Sequence, residues 1–91
     1  MYNLRQTAGF ARSFKRFARK HPELRDRTET VLRTLRENPF APSLRLHPLT
    51  GQLDGLHAVS INYTYRITLV LCIEGSEITL VNVGTHDEVY G

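Results

Sequence analysis

Apolar positions recur along this chain with two different periods. After Thr7, Phe10, Phe14 and Phe17 fall at four- and three-residue spacing with Ala11 and Ala18 beside them, which places them on one stripe of a helix. Arg12, Lys15, Arg16, Arg19 and Lys20 fill the other sides, and the Thr7 hydroxyl is positioned to cap the first turn. His21-Pro22 stops this run and opens the next, because proline suits a first helical position and disfavours helix in the residue before it. Leu24, Thr28, Val31, Leu32 and Leu35 then repeat at helical spacing, with Arg25, Arg27, Arg33 and Arg36 outside, until Asn38-Pro39 ends the run. The pattern predicts two helices meeting as a hairpin, with His21 at the joint and the phenylalanine stripe in the core.

Beyond Pro42 the period shortens to two. Residues 44–47 read as a brief strand, Pro48-Leu49-Thr50-Gly51 as a turn, and residues 56–61 as a returning strand that leads through Asn62 into a longer one. In that longer strand Tyr63, Tyr65, Ile67, Leu69, Leu71 and Ile73 share a core face, and Thr64, Arg66, Thr68, Val70 and Cys72 share the other. The polar turn at residues 74–77 and the strand at residues 78–83 complete an antiparallel hairpin, while residues 2–6 carry a short signal suited to an edge strand. The order β-α-α-β-β-β-β predicts an α+β fold: a two-helix hairpin packed on one face of a small twisted, mainly antiparallel sheet, with the other face partly open.

Composition narrows the setting. A chain of 91 residues is expected to form one domain, residues 1–91, large enough to bury roughly 60–65% of its unfolded surface without a metal or disulfide. Cys72 is the sole cysteine, so an internal disulfide is excluded; it reads as a core thiol and favours an intracellular compartment. No apolar signal region follows Met1 and no run approaches the about 20 apolar residues of a membrane span, so a cytoplasmic location is expected, with no membrane partner. The net charge of +3 conceals a division: through Leu46 eleven Lys/Arg face four acids, and from His47 onward Arg66 stands alone against five. The basic half suits phosphate or an acidic protein, or is simply a set of solvated helix faces.

Phosphate-binding glycine loops, paired-cysteine zinc patterns and nucleophile elbows are all missing from the sequence. Its four histidines are scattered, so a zinc site needs three of them to converge by fold alone. What stands out is an arginine, Arg66, projecting from a strand of Tyr, Ile, Leu and Val, which requires a solvated face or a partner. His86 follows directly on the next strand, and the hairpin brings it beside Arg66. His47 sits at the exit of an earlier strand. A cation over a phosphate and imidazoles that move protons near neutral pH are the elements of phosphoryl chemistry. The plainer alternatives are an Arg66 paired with Asp87 or Glu88, histidines in surface loops, and a Tyr90 that either tucks the chain end into the sheet or stacks on a base.

Four stretches, taken in order, resemble the RelE/ParE superfamily of bacterial toxins from toxin–antitoxin pairs, above all its YafQ-like and RelE-like ribosome-dependent mRNA endonucleases. They are Phe10-Ala11-Arg12-Ser13-Phe14-Lys15-Arg16, Leu46-His47-Pro48-Leu49-Thr50-Gly51, Tyr65-Arg66, and Val83-Gly84-Thr85-His86-Asp87-Glu88-Val89-Tyr90. The resemblance covers nearly the whole chain. It implies a concave sheet face that grips mRNA in the ribosomal decoding site and an attack of the ribose 2′-hydroxyl on the adjacent phosphate, without metal or small-molecule cofactor. By position it implies His47 as base, His86 as acid, Arg66 as phosphate clamp and Tyr90 as the aromatic residue near the terminus. Partners implied are a cognate antitoxin, the ribosome and mRNA. Ser60 and Thr64 stand where YafQ-like chains place a further histidine and an aspartate, and the lysines of the RelE-type strand are missing around His57. A ParE-like, non-catalytic topoisomerase inhibitor is the competing expectation, since one fold supports both.

Overall fold

The computed structural model describes residues 1–90, with the side chain of Tyr90 outside that description. Strand β1 (Asn3–Gln6) leads into helix α1 (Ala8–Lys20), a 3₁₀ turn (Pro22–Leu24) and helix α2 (Arg25–Glu37). After two further 3₁₀ turns around a two-residue strand β2 (His47–Pro48) come β3 (His57–Ser60), β4 (Tyr65–Cys72), β5 (Glu77–Thr85) and a short helix α3 (His86–Tyr90). The sheet order is β1-β5-β4-β3-β2, antiparallel throughout except for β1, which runs parallel to β5 with Leu4 opposite Ile78. This is the expected α+β arrangement with two additions: the parallel edge and α3. The signal for α3 is the Thr85-x-x-Glu88 spacing of a capping box, which the alternating pattern before it hides. Among the described residues no helix is long and apolar enough to cross a membrane.

The helix stripe meets the sheet as its spacing requires. Phe10, Phe17, Val31 and Leu35 are buried against Val59, Ile67, Leu69, Ile78, Leu80 and Val83, and Phe14 is half-buried at the margin. Ala11 and Ala18 are exposed; the small residue that α1 buries is Ser13. Each fully buried Leu or Phe contributes about 1.5–3 kcal/mol relative to exposure. The joint residue His21 caps α1 by donating its backbone N–H to Phe17 O. Its ring lies between Phe17 and Tyr65, with Nδ1 3.1 Å from Glu23 Oε2 and Nε2 2.7 Å from the Tyr65 hydroxyl. A carboxylate only accepts, so Nδ1 donates to it and the neutral ring's Nε2 accepts from Tyr65, tying the helix joint to the start of β4.

Strict alternation fails once, in β5. Thr68 faces Asn82 but Leu69 faces Leu80, so Val81 is an extra residue, a β-bulge. Continued alternation from Ile78 and Leu80 would turn Asn82 toward the helices. The bulge turns Val83 inward instead, to 5% exposure. Hydroxyls from α1 complete the interrupted ladder: Thr7 Oγ1 lies 3.2 and 3.3 Å from the carbonyls of Leu80 and Val81, and Ser13 Oγ accepts the Val83 N–H at 3.2 Å. Thr7 also caps α1 as expected, accepting from Phe10 N–H at 3.0 Å.

The far end of β4 departs from expectation. Cys72 is exposed, not a core thiol, and Ile73 and Tyr63 fall in turns outside the strand with 58% and 96% of their surface exposed. Cys72, opposite Glu77, points to the face away from the helices, and Tyr63 and Ile73 lie past the ends of the strand, whose middle is what the helices cover.

Candidate active site

Cross-strand register builds the site. Paired residues project to the same face of a sheet, so His47, Ala58, Thr68 and Asn82 form one row and Ser60, Arg66 and Gly84 the next. Both rows lie on the face away from α1 and α2, since their neighbours Val59, Ile67 and Val83 point into the core. Ala58 and Thr68 are themselves fully buried, so this face is closed at its middle and opens at the Arg66 end. Small neighbours leave a hollow there. A cleft of about 580 Å³ is lined by His47, Arg66 and His86 together with residues of the Pro48–Leu53 loop, none of them acidic. The acidic character of this half of the chain is placed elsewhere.

Arg45 governs the orientation of His47. It closes the Pro42–Leu44 turn in the left-handed backbone region, at φ 52°, a conformation costing an ordinary residue about 1–3 kcal/mol. Its carbonyl lies 2.9 Å from His47 Nδ1. A carbonyl accepts only, so Nδ1 carries the hydrogen and the neutral ring holds its lone pair on Nε2, the form a general base requires.

His86 is positioned from the other side. Thr85 caps α3 reciprocally: its Oγ1 accepts the Glu88 N–H at 3.2 Å and Glu88 Oε1 accepts the Thr85 N–H at 2.8 Å. The Thr85 amide, ahead of the smaller attraction of Lys20 and Arg16, holds the Glu88 carboxyl below its ordinary range, so the cap is anionic near neutral pH. His86, at the first position of α3, is 66% exposed, with Nδ1 3.6 Å from Asp87 Oδ1, an ion pair when the ring is protonated. Gly84 is required here: a Cβ at that position would lie 2.9 Å from Glu88 Cβ.

Arg66 is half-buried, and its Nε is enclosed with no acceptor among the described residues. Neither Asp87 nor Glu88 forms an ion pair with it; one faces His86 and the other caps α3. A buried, unmatched guanidinium donor is costly unless a ligand supplies the acceptor.

Of the residues singled out in the sequence, His47, Arg66 and His86 thus line one cleft, and the Tyr90 ring lies outside the described residues. Ser60 sits directly beside Arg66 in register, whereas Thr64 is exposed in the preceding turn. Gln52, which reads in sequence only as a turn residue, also lines the cleft. Arg45 carries no local signal for its role, because neither glycine nor asparagine marks the left-handed position.

A family model described as bacterial toxin of type II toxin–antitoxin system, YafQ, matches residues 2–91. Comparison with curated protein sequences gives no match. Among solved structures the fold is similar to that of YafQ from E. coli strain BL21(DE3), at 16% identity, TM-score 0.82 and full coverage of both chains. It is similar also to a metal-bound toxin from Helicobacter pylori, at 22% identity and TM-score 0.80 over 98% of this chain and 99% of that one. A third similar structure is a chain of the E. coli DinJ–YafQ complex, at 16% identity and TM-score 0.80 over 100% of each. With the family pattern running the length of the chain and the same fold beneath it, this protein belongs to the YafQ family of bacterial type II toxins.

Proposed function

We propose that this toxin is an endoribonuclease that cuts ribosome-bound mRNA in the cytoplasm and so inhibits translation. The observation that carries the reading is the convergence of His47, Arg66 and His86, from three separate elements, on one cleft without acidic lining. Each group suits one part of a transesterification. His47 Nε2 takes the proton of a ribose 2′-hydroxyl; the freed oxygen attacks the adjacent phosphorus; the bond to the 5′-oxygen breaks, and that oxygen takes a proton from His86. The products are a 2′,3′-cyclic phosphate and a 5′-hydroxyl end. Arg66, whose Nε lacks an acceptor among the described residues, supplies fixed positive charge to the phosphate as negative charge grows on it. Tyr90, near the chain terminus, is proposed to stack on a base.

The family and the E. coli DinJ–YafQ complex support a cognate antitoxin as physiological partner. A single cut site bearing those ends, mapped in translated messages after brief expression and missing in His86→Gln, is the expected result. An unaltered message together with inhibited DNA supercoiling would replace this reading with a topoisomerase inhibitor.

A further inference from the structure

A second groove adjoins the cleft. It holds about 560 Å³ and is lined by Arg27, Arg45, Arg66 and Tyr63, with Ser60 and Asn62 among the remainder and no acidic residue. Arg66 lines both hollows, so they adjoin at this residue. The three arginines come from α2, the turn before β2 and β4, and none forms an ion pair with an acid among the described residues, whereas Arg5 and Arg25 pair with Glu77 and Glu29. Arg27 reaches the groove from the helix side by donating Nε–H to the carbonyl of Ile61, which fixes the start of the 61–65 turn. That turn is held from within: Asn62 Oδ1 accepts the N–H groups of Thr64 and Tyr65 at 2.9 and 2.8 Å, and Ile61 N–H meets Tyr65 O at 2.9 Å. At its tip Tyr63 is 96% exposed. The backbone is therefore ordered while the ring contributes nothing to the core.

We propose that this groove binds the nucleotides that continue the RNA strand beyond the scissile phosphate, with arginines on successive phosphates and Tyr63 as the stacking surface for one base. The proposal rests on the nuclease reading of the adjoining cleft. Charge alone would suit an acidic peptide equally well; the ring held out at the rim beside guanidinium groups is what favours a single-stranded nucleic acid, every base of which has a face to stack.

The test uses RNA that binds but cannot be cut. A fluorescent, fully 2′-O-methylated octanucleotide spans both hollows, and a 2′-O-methylated dinucleotide fills only the cleft. Tyr63→Ala should weaken the octanucleotide by roughly 5- to 150-fold, the range of one base–aromatic stack, and leave dinucleotide chemical-shift titrations unchanged. Arg27→Gln should lower the dependence of log affinity on log salt by about 0.7, one single-strand phosphate contact. Octanucleotide binding that is unmeasurable in the unmodified toxin, indifferent to Tyr63→Ala, or reduced in parallel with the dinucleotide overturns the groove. Antitoxin affinity falling in Tyr63→Ala while the octanucleotide is unaffected assigns the surface to the protein partner instead. Since the probe carries no nucleophile, these outcomes are read separately from loss of mRNA cleavage in His86→Gln, which tests the cleft.

Discussion

The two faces of the sheet are finished in opposite ways. Against the helices, α1 and the helix joint meet the polar groups beside them: the Thr7 and Ser13 hydroxyls meet the interrupted ladder of β5, and His21 joins Tyr65 to Glu23, while His57 Nδ1, in register with Leu69, is enclosed without a partner among the described residues. On the other face the Arg66 Nε is enclosed without an acceptor among the described residues, and Arg45 is held in a strained backbone conformation beside His47. One face is closed by the helices; the other has a cationic donor without an acceptor among the described residues and stored strain beside an open cleft, as expected where a ligand completes the structure. The difference separates what holds the molecule together from what it does, and substitutions can show whether that separation is real.

The largest effect should fall on rate alone. His47→Ala and His86→Gln are each expected to lower cleavage by about 10²–10⁴, the usual cost of one proton-transfer group, while thermal unfolding stays within the small range of surface changes. If either variant unfolds substantially more easily, the two faces are not separable in this way. Conversely, Leu35→Ala deletes a fully buried side chain and should cost about 2–5 kcal/mol in chemical denaturation, with cleavage per folded molecule preserved.

Intermediate cases sharpen the boundary. Gly84→Ala forces a methyl group against Glu88 Cβ, so α3 must shift and carry His86 with it. Activity should fall with little loss of core stability, visible as faster hydrogen exchange at the Thr85 amide. Ser13→Ala removes one of two acceptors of the Val83 N–H, the other being Asn82 Oδ1, so only about 0.5–1.5 kcal/mol of stability is expected to go.

The smallest effect is one of pH. Glu88 has a folded-state pKa below its unfolded value, so its contribution is complete above the ordinary carboxylate range and is lost as pH falls through the lowered folded value. Acid below the ordinary carboxylate range should therefore loosen α3, and Glu88→Gln should remove that local transition from pH-dependent exchange at Thr85.

How much of this was legible in the sequence follows the range over which each feature is encoded. Phe10, Phe17, Val31 and Leu35 announce the helix face because spacing is local, and Arg66 and His86 can be brought together because a short hairpin dictates its own pairing. His47 joins them only through pairing with Ala58, which a two-residue strand does not advertise. The parallel docking of β1 on β5 spans most of the chain, and four residues hold no register information about so distant a partner. Cys72 departs from expectation for a different reason: an apolar strand suggests burial, yet alternation puts this residue on the face of Arg66, away from the helices, where it is exposed.

The bulge at Val81 makes strand β5 a dial with two settings. Flattening the bulge with the residue kept would restore uniform alternation, swing Asn82 beneath the helices and Val83 outward, and reverse the side to which the segment carrying His86 emerges, whereas deleting the residue would leave both side chains facing as they do. A slip of one residue in this ladder can thus dismantle the cleft while every residue lining it remains encoded, so an inventory of its side chains is blind to such a loss and only the pairing of Leu80 with Leu69 and of Asn82 with Thr68 reveals it.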